Sequence, residues 1–101
     1  MLHVTTTCPD LDCARRLARQ ALEQRLAACA NITPGIVSLF HWQGRIDEEP
    51  ELQLAFKTTE ARREALVDLI GRLHPYDLPV IWWEAVGTTA TATEWLQTET
   101  R

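Results

Sequence analysis

Several large functional classes are excluded by what the sequence lacks. No apolar run approaches the roughly 20 residues that a membrane-spanning helix needs. The longest strongly apolar stretch lies around Val80–Trp83, a strand's length. The opening residues, MLHVTTTC, carry no basic segment and read as a strand rather than a signal peptide, so the expected compartment is the cytoplasm. Cationic residues are in deficit, with Lys and Arg numbering 10 against 14 Asp and Glu, a net charge of -4. Phosphate backbones and anionic bilayers select the opposite balance, so neither nucleic acid nor membrane is expected as a partner. There is no Gly-rich phosphate loop, no GxSxG and no HExxH. Cysteine is scarce and odd in number: Cys8, Cys13 and Cys29 do not make a disulfide framework, and their spacing offers no structural zinc site. Internal repeats, low-complexity segments and linkers are absent as well.

What is present suits one soluble domain over residues 1–101, with 46% apolar and 24% charged residues. Leu2 to Cys8 alternates and is rich in β-branched side chains, which predicts a strand ended by Pro9. Asp10 is placed to cap a helix, and Ala14, Leu17, Ala18, Ala21 and Leu22 recur at spacings of three and four, giving a helix from Leu11 to about Ala27. Pro34-Gly35 signals a turn or bulge. Beyond it Ile36, Ser38, Phe40 and Trp42 share one face of an extended segment, and Val37, Leu39 and His41 share the other. Gln43-Gly44 opens a turn, and DEEP interrupts the next extended segment. Leu52, Leu54 and Phe56 then mark a half-buried strand. Thr58-Thr59 offers the next helix cap, and a stripe through Ala61, Ala65, Leu69 and Leu73 carries that helix to about Leu73. HPYDLP stops it, since Pro75 disfavours helical geometry at His74. Val80 to Val86 forms a last strand, and Thr91–Thr98 a short final helix with Trp95 and Leu96 available to pack.

The order is β-α-β-β-α-β plus a terminal helix. It predicts an α+β, ferredoxin-like fold: an antiparallel sheet with both main helices on one face, and the first strand central between the third and fourth. Adjacent Trp82 and Trp83 must point to opposite faces of their strand, so one of them faces away from the helices. The segment from Ile36 to Trp42 is apolar on both faces. Large apolar side chains outside the helix-covered face call for a partner, most simply another copy of the chain.

Four segments, TTTCPD, LAACANITPGIVSLFHWQGRI, ELQLAFKTT and HPYDLP, stand in an order and spacing that closely resembles the CutA divalent-cation-tolerance family. The resemblance runs from Thr5 to Trp95. It implies the ferredoxin-like fold, a homotrimer similar to that of the nitrogen-regulatory PII proteins, with long strands pairing edge to edge between subunits, and a role in tolerance of copper and other divalent cations. Copper binding is proposed for the family, and no enzymatic reaction is established for its bacterial members, so no catalytic residue is expected. The chain departs from the pattern twice. Val80 stands where the family usually has an acid after the second proline of its motif, and Ala92 where it commonly has a tyrosine. A ligand held by either group would be bound differently here.

Candidate site residues follow from chemistry. Cys8 lies at a strand end beside a helix N-terminus, where the macrodipole favours thiolate, and His74 opens the rigid loop; thiolate and imidazole suit copper. The competing reading makes Cys8 a small strand-end residue and His74 a helix-terminal group bonded to backbone. Lys57 with Thr58 and Thr59 suggests an anion site, against a simple N-cap and a surface lysine. Glu51 seeks a partner on a neighbouring strand or subunit. Tyr76 and Trp42 are expected at an intersubunit cleft, with the HPYDLP knot locked against a neighbouring subunit. Cys29 is expected to fill the core, Cys13 to be core or partly exposed packing on the first helix, and His3 and His41 to be structural. Three functions compete: a non-enzymatic trimeric protein of metal-ion response that binds copper or a similar cation, a PII-like sensor of a small anionic metabolite at intersubunit clefts, and a trimeric signalling scaffold.

Overall fold

In the computed structural model, which describes residues 1–101, strand β1 (Leu2–Cys8) runs between β3 (Arg45–Thr58) and β4 (Ile81–Ala85), and β2 (Cys29–Trp42) lies outside β3. The sheet order is β2-β3-β1-β4, antiparallel throughout. Helices α1 (Leu11–Glu23), α2 (Arg63–Leu73) and α3 (Ala90–Glu99) complete the chain, with one 3₁₀ turn over Glu60–Arg62 before α2. The central place of β1 is the one expected from the order of elements.

Strand alternation decides which residues meet the helices. Val4 pairs with Phe56 on one side and Trp83 on the other, so these three share a face. That face carries Leu2, Val4, Cys8, Leu54 and Phe56 into one core with Cys13, Ala14, Leu17, Ala18 and Ala21 of α1 and Leu66, Leu69 and Ile70 of α2. Thr6 is fully buried on the same face, and its hydroxyl donates to the Val80 carbonyl at 2.8 Å. Arg63 of α2 lies 5.1 Å over the Trp83 ring, a cation–π contact on the helix side. Trp82 pairs with Thr5 and so takes the opposite face, as the adjacency of the two tryptophans requires.

Helix α1 starts where Asp10 accepts from the Cys13 backbone N–H at 2.8 Å. It ends earlier than its apolar stripe suggests. Arg25 adopts φ 57, its N–H donates to Leu22 O, and the Leu26 N–H reaches back to Ala21 O. This is a Schellman motif with arginine in the left-handed position where glycine is usual, and buried Leu26 makes the accompanying apolar contact.

The second and third strands are longer than the sequence pattern indicates. Pro34-Gly35 does not end β2; the register to β3 shifts between Thr33 and Ile36, a bulge that Gly35 permits at φ 81. DEEP does not interrupt β3 either. β1 pairs with β3 only from Leu52 onward, so Pro50 sits where one edge of β3 has no neighbour and its missing N–H costs no ladder bond there. Beyond that point β2 and β3 form a two-stranded arm closed by Gln43 at φ 51 and Gly44 at φ 80, the left-handed pair of a type I′ hairpin turn. The arm makes the molecule 46 Å long and only 24 by 21 Å across. One face of the arm presents Val37, Leu39 and Ile46, each 64–68% exposed. The other presents Phe40 and Trp42, also exposed.

Thr58 and Thr59 do not cap α2. The Thr58 hydroxyl is buried and donates to Leu26 O at 2.7 Å, while Thr59 makes no side-chain cap bond. Helix α3 is capped by Thr89, which accepts from Ala92 N–H, and it buries Leu96 while leaving Trp95 exposed.

Candidate functional site

The HPYDLP loop is tied to the sheet at two points and braced by one bond of its own. His74 Nε2 lies 2.8 Å from the Thr7 carbonyl oxygen, and the Tyr76 backbone N–H donates to His74 Nδ1 at 3.2 Å. A carbonyl only accepts and a backbone N–H only donates, so the imidazole is the neutral tautomer with its proton on Nε2. The second tie to the sheet is the Tyr76 hydroxyl, which donates to Glu51 Oε2 at 2.7 Å. The His74 and Tyr76 rings pack at 4.7 Å between centroids. Arg16 of α1 adds a bond to the Leu73 carbonyl, closing the end of α2. Within one chain these bonds already hold the loop, with Pro75 between the histidine and the tyrosine.

The ties explain the electrostatics. Glu51 and His74 are both buried, and the loop covers them. Burial first, and then the bond to Glu51, push the Tyr76 phenol well above its ordinary value. Burial likewise raises the Cys8 thiol to about 12, with Cys13, Glu51 and Asp10 adding to the effect. The expectation of a thiolate at the helix N-terminus is therefore corrected. Cys8 is fully buried with an acid-rich neighbourhood, and these outweigh the macrodipole. The Cys13 thiol is raised too, chiefly by burial.

Cys8 and His74 do come to the same end of β1, since His74 bonds the residue before Cys8. Neither presents a ligand atom: the thiol is protonated and enclosed, and both imidazole nitrogens are engaged. No three His, Cys, Asp or Glu side chains stand close enough together to hold a metal ion. A copper site on Cys8 and His74 does not fit this geometry, and the backbone-bonded reading of His74 does.

Of the other candidates, Glu51 and Tyr76 meet directly. Trp42 stands at the arm's tip, paired with Arg45 beside the turn, and Lys57 lies at the far end of β3 opposite His3 and Cys29. One chain does not bring Trp42 or Lys57 to Tyr76. Of the two hydroxyls grouped with Lys57, that of Thr58 is spent in the core, and that of Thr59 makes no cap bond. Cys13 fills the core, the first of the two placements expected for it. Cys29 does not: it is partly exposed, its thiol 3.6 Å from Asn31 Oδ1, because it shares the uncovered face with Lys57. His3 pairs loosely with Glu84 at 3.7 Å, and His41 is exposed on the arm. Val80, which replaces the usual acid, is exposed and offers only its carbonyl to Thr6; Ala92 is partly exposed on α3. The feature that sequence reasoning missed is the Tyr76–Glu51 bond. Both residues stood out separately, but only the sheet topology joins them.

Comparison with known proteins gives this arrangement its context. Residues 2–99 match the family model described as CutA1 divalent ion tolerance protein. The "Divalent-cation tolerance protein CutA" of Pectobacterium atrosepticum is 41% identical over 76 residues, covering 75% of this chain and 69% of that protein. Its counterpart in Salmonella newport is 42% identical over 76 residues, covering 75% of this chain and 66% of its own length, just under two thirds. Among solved structures, a point variant of CutA1 from Pyrococcus horikoshii superposes with a TM-score of 0.96 at 37% identity, over 100% of this chain and 99% of that one. The divalent cation tolerance protein of Thermus thermophilus gives a TM-score of 0.94 at 37% identity over the whole of both chains. A protein from Archaeoglobus fulgidus, named as a periplasmic divalent cation tolerance protein, gives 0.95 at 30% identity, again over the whole of both chains. With a four-stranded antiparallel sheet, three helices and the HPYDLP loop in this setting, the chain belongs to the CutA1 divalent ion tolerance family.

Proposed function

We propose that the protein serves divalent-cation tolerance, copper included, as a cytoplasmic homotrimer of ferredoxin-like subunits in a PII-like arrangement, and that it catalyses no reaction. The observation that carries this reading is the arm. A two-stranded ribbon with Val37, Leu39 and Ile46 bare on one face and Phe40 and Trp42 bare on the other is unstable in water by itself. A second and third copy of the chain would cover it. The family's function supports the tolerance role, and three free cysteines suit a reducing compartment. Because one chain brings no three His, Cys, Asp or Glu side chains together, a bound cation would be held by residues from more than one copy.

Glu51 weighs against the anionic-metabolite reading, since a carboxylate at the loop repels an anion from the cleft that loop would line. Nothing particular favours a signalling scaffold. The test is light scattering at micromolar concentration, followed by titration of the assembled protein with copper(I) against a chelator. A mass three times the 11.5 kDa chain with saturable copper binding is the expected result. A monomer mass overturns the assembly, and absence of saturable binding removes direct copper binding from the function.

A further inference from the structure

The place where Tyr76 meets Glu51 is also the root of the arm. β1 leaves β3 at Leu52, so Glu51 is the first residue of β3 without that neighbour. Across the other edge, Glu51 pairs with Ile36, directly after the register shift that begins at Thr33. A bulge bends and twists its strand, and the ribbon beyond this one has no third strand to stiffen it. The root is therefore the point at which the arm's direction is least determined by backbone pairing. One side chain of the root, Glu51, is buried and takes the Tyr76 hydroxyl at 2.7 Å. The phenol is held in turn, because the Tyr76 N–H and His74 Nε2 tie its loop to β1.

We infer that Tyr76 and Glu51 form a latch that fixes the direction of the β2–β3 arm at its bulge, so that the HPYDLP loop positions the surface used in assembly. Tyr76, Glu51 and His74 are then positioning residues and not ligands. The consequence for assembly rests on the proposed trimer; the latch itself does not.

The experiment compares wild type with Tyr76→Phe and Glu51→Gln by amide hydrogen exchange, at concentrations where light scattering finds all three in one assembly state. Residues 36–49 report the arm, and residues 2–8 and 52–58 report the core. Arm amides in Tyr76→Phe are expected to exchange at least tenfold faster, and to gain clearly more than the core amides, which speed up only as far as the loss of global stability carries them. Glu51→Gln is expected to give a smaller change, because an amide oxygen still accepts. A Tyr76→Phe protein that fails to assemble at any concentration, with its core amides still protected and its arm amides not, is the same result in its extreme form. Unchanged arm exchange, or a uniform loss across arm and core, overturns the latch. A monomeric wild type overturns the trimer reading, and the same exchange comparison then tests the latch in the monomer.

Discussion

The Tyr76 hydroxyl, carried on the loop after α2, donates to the Glu51 carboxylate 2.7 Å away on a residue 25 positions earlier in the chain. That bond joins the stop signal of the second helix to the strand where the sheet narrows from four strands to two. Its energetic weight can be bounded. A hydrogen bond to a charged group contributes about 1.5 to 3 kcal/mol where it is well desolvated, and a neutral bond about 1. Tyr76 is 36% exposed, which places its bond toward the lower part of that range.

Tyr76→Phe is accordingly expected to destabilise the protein by about 1 to 2 kcal/mol, since it leaves a buried carboxylate oxygen without its partner. Tyr76→Ala removes the ring packed on His74 as well and is expected to cost more, though less than the 3 to 5 kcal/mol or so of a fully buried aromatic. Urea denaturation of both variants at one fixed protein concentration checks this, because assembly makes apparent stability depend on concentration. Equal midpoints for wild type and Tyr76→Ala would remove the structural role of the loop.

The thiols are expected to divide by reactivity. Cys8 is buried and protonated up to about pH 12, and Cys13 is raised in the same direction, whereas Cys29 is partly exposed. Alkylation with iodoacetamide at pH 8 followed by mass spectrometry should label Cys29 alone in the folded chain and all three in urea. Rapid labelling of Cys8 without denaturant would contradict the packing of β1 against α1.

The same raised groups set the direction of the alkaline response. In the unfolded chain Cys8 loses its proton near its ordinary value of 9.0, while the folded chain holds it to about 12. The native state therefore binds more protons across that interval, and stability must fall as pH rises through it. Each such group contributes a slope of up to about 1.4 kcal/mol per pH unit. Tyr76, also raised, adds in the same direction above its ordinary 10.0. Denaturation midpoints are expected to be level below pH 8.5 and to decline from about pH 9, and Cys8→Ala should flatten the early part of the decline. A rise in stability over that interval would place the thiol in a different environment.

How far the fold was legible in the sequence depends on whether the signal is local. Asp10 capping α1, the alternation of Leu2–Cys8, the Gln43-Gly44 turn and the two faces of residues 36–42 are all set by neighbours a few positions away, and each is found where the pattern places it. The misreadings have non-local causes. Pro50 breaks a strand only where both edges must pair, and whether β1 extends that far is a property of the sheet. Thr58 looks like a cap until Leu26, 32 residues earlier, takes its hydroxyl. In the candidate site, the residue types were legible but their grouping was not. Cys8 and His74 suggested a metal by ligand type, while the atoms that decide the matter are a backbone carbonyl at Thr7 and a backbone N–H at Tyr76, which no side-chain pattern encodes.

Arg25 offers a last test, of the one helix end that the sequence did not announce. Its φ of 57 places a residue with a Cβ where glycine is favoured, at a cost of about 1 to 2 kcal/mol. Its side chain recovers part of that, since Nη1 reaches the Glu99 carbonyl at 3.2 Å and the Glu99 carboxylate at 3.6 Å and so ties α1 to the end of α3. Both contacts are exposed, and such pairs contribute little, about 0 to 1 kcal/mol. Arg25→Ala and Arg25→Gly lose these contacts equally and differ only in backbone. Glycine relieves the left-handed strain but enlarges the conformational freedom of the unfolded chain, and at a left-handed position the first effect is the larger. Arg25→Gly is therefore expected to be more stable than Arg25→Ala by about 1 kcal/mol and close to wild type, as measured by urea denaturation at matched concentration. If alanine proves the better replacement, the helix does not end in the Schellman geometry, and the placement of Leu26 in the core, which depends on that turn, would have to be revised with it.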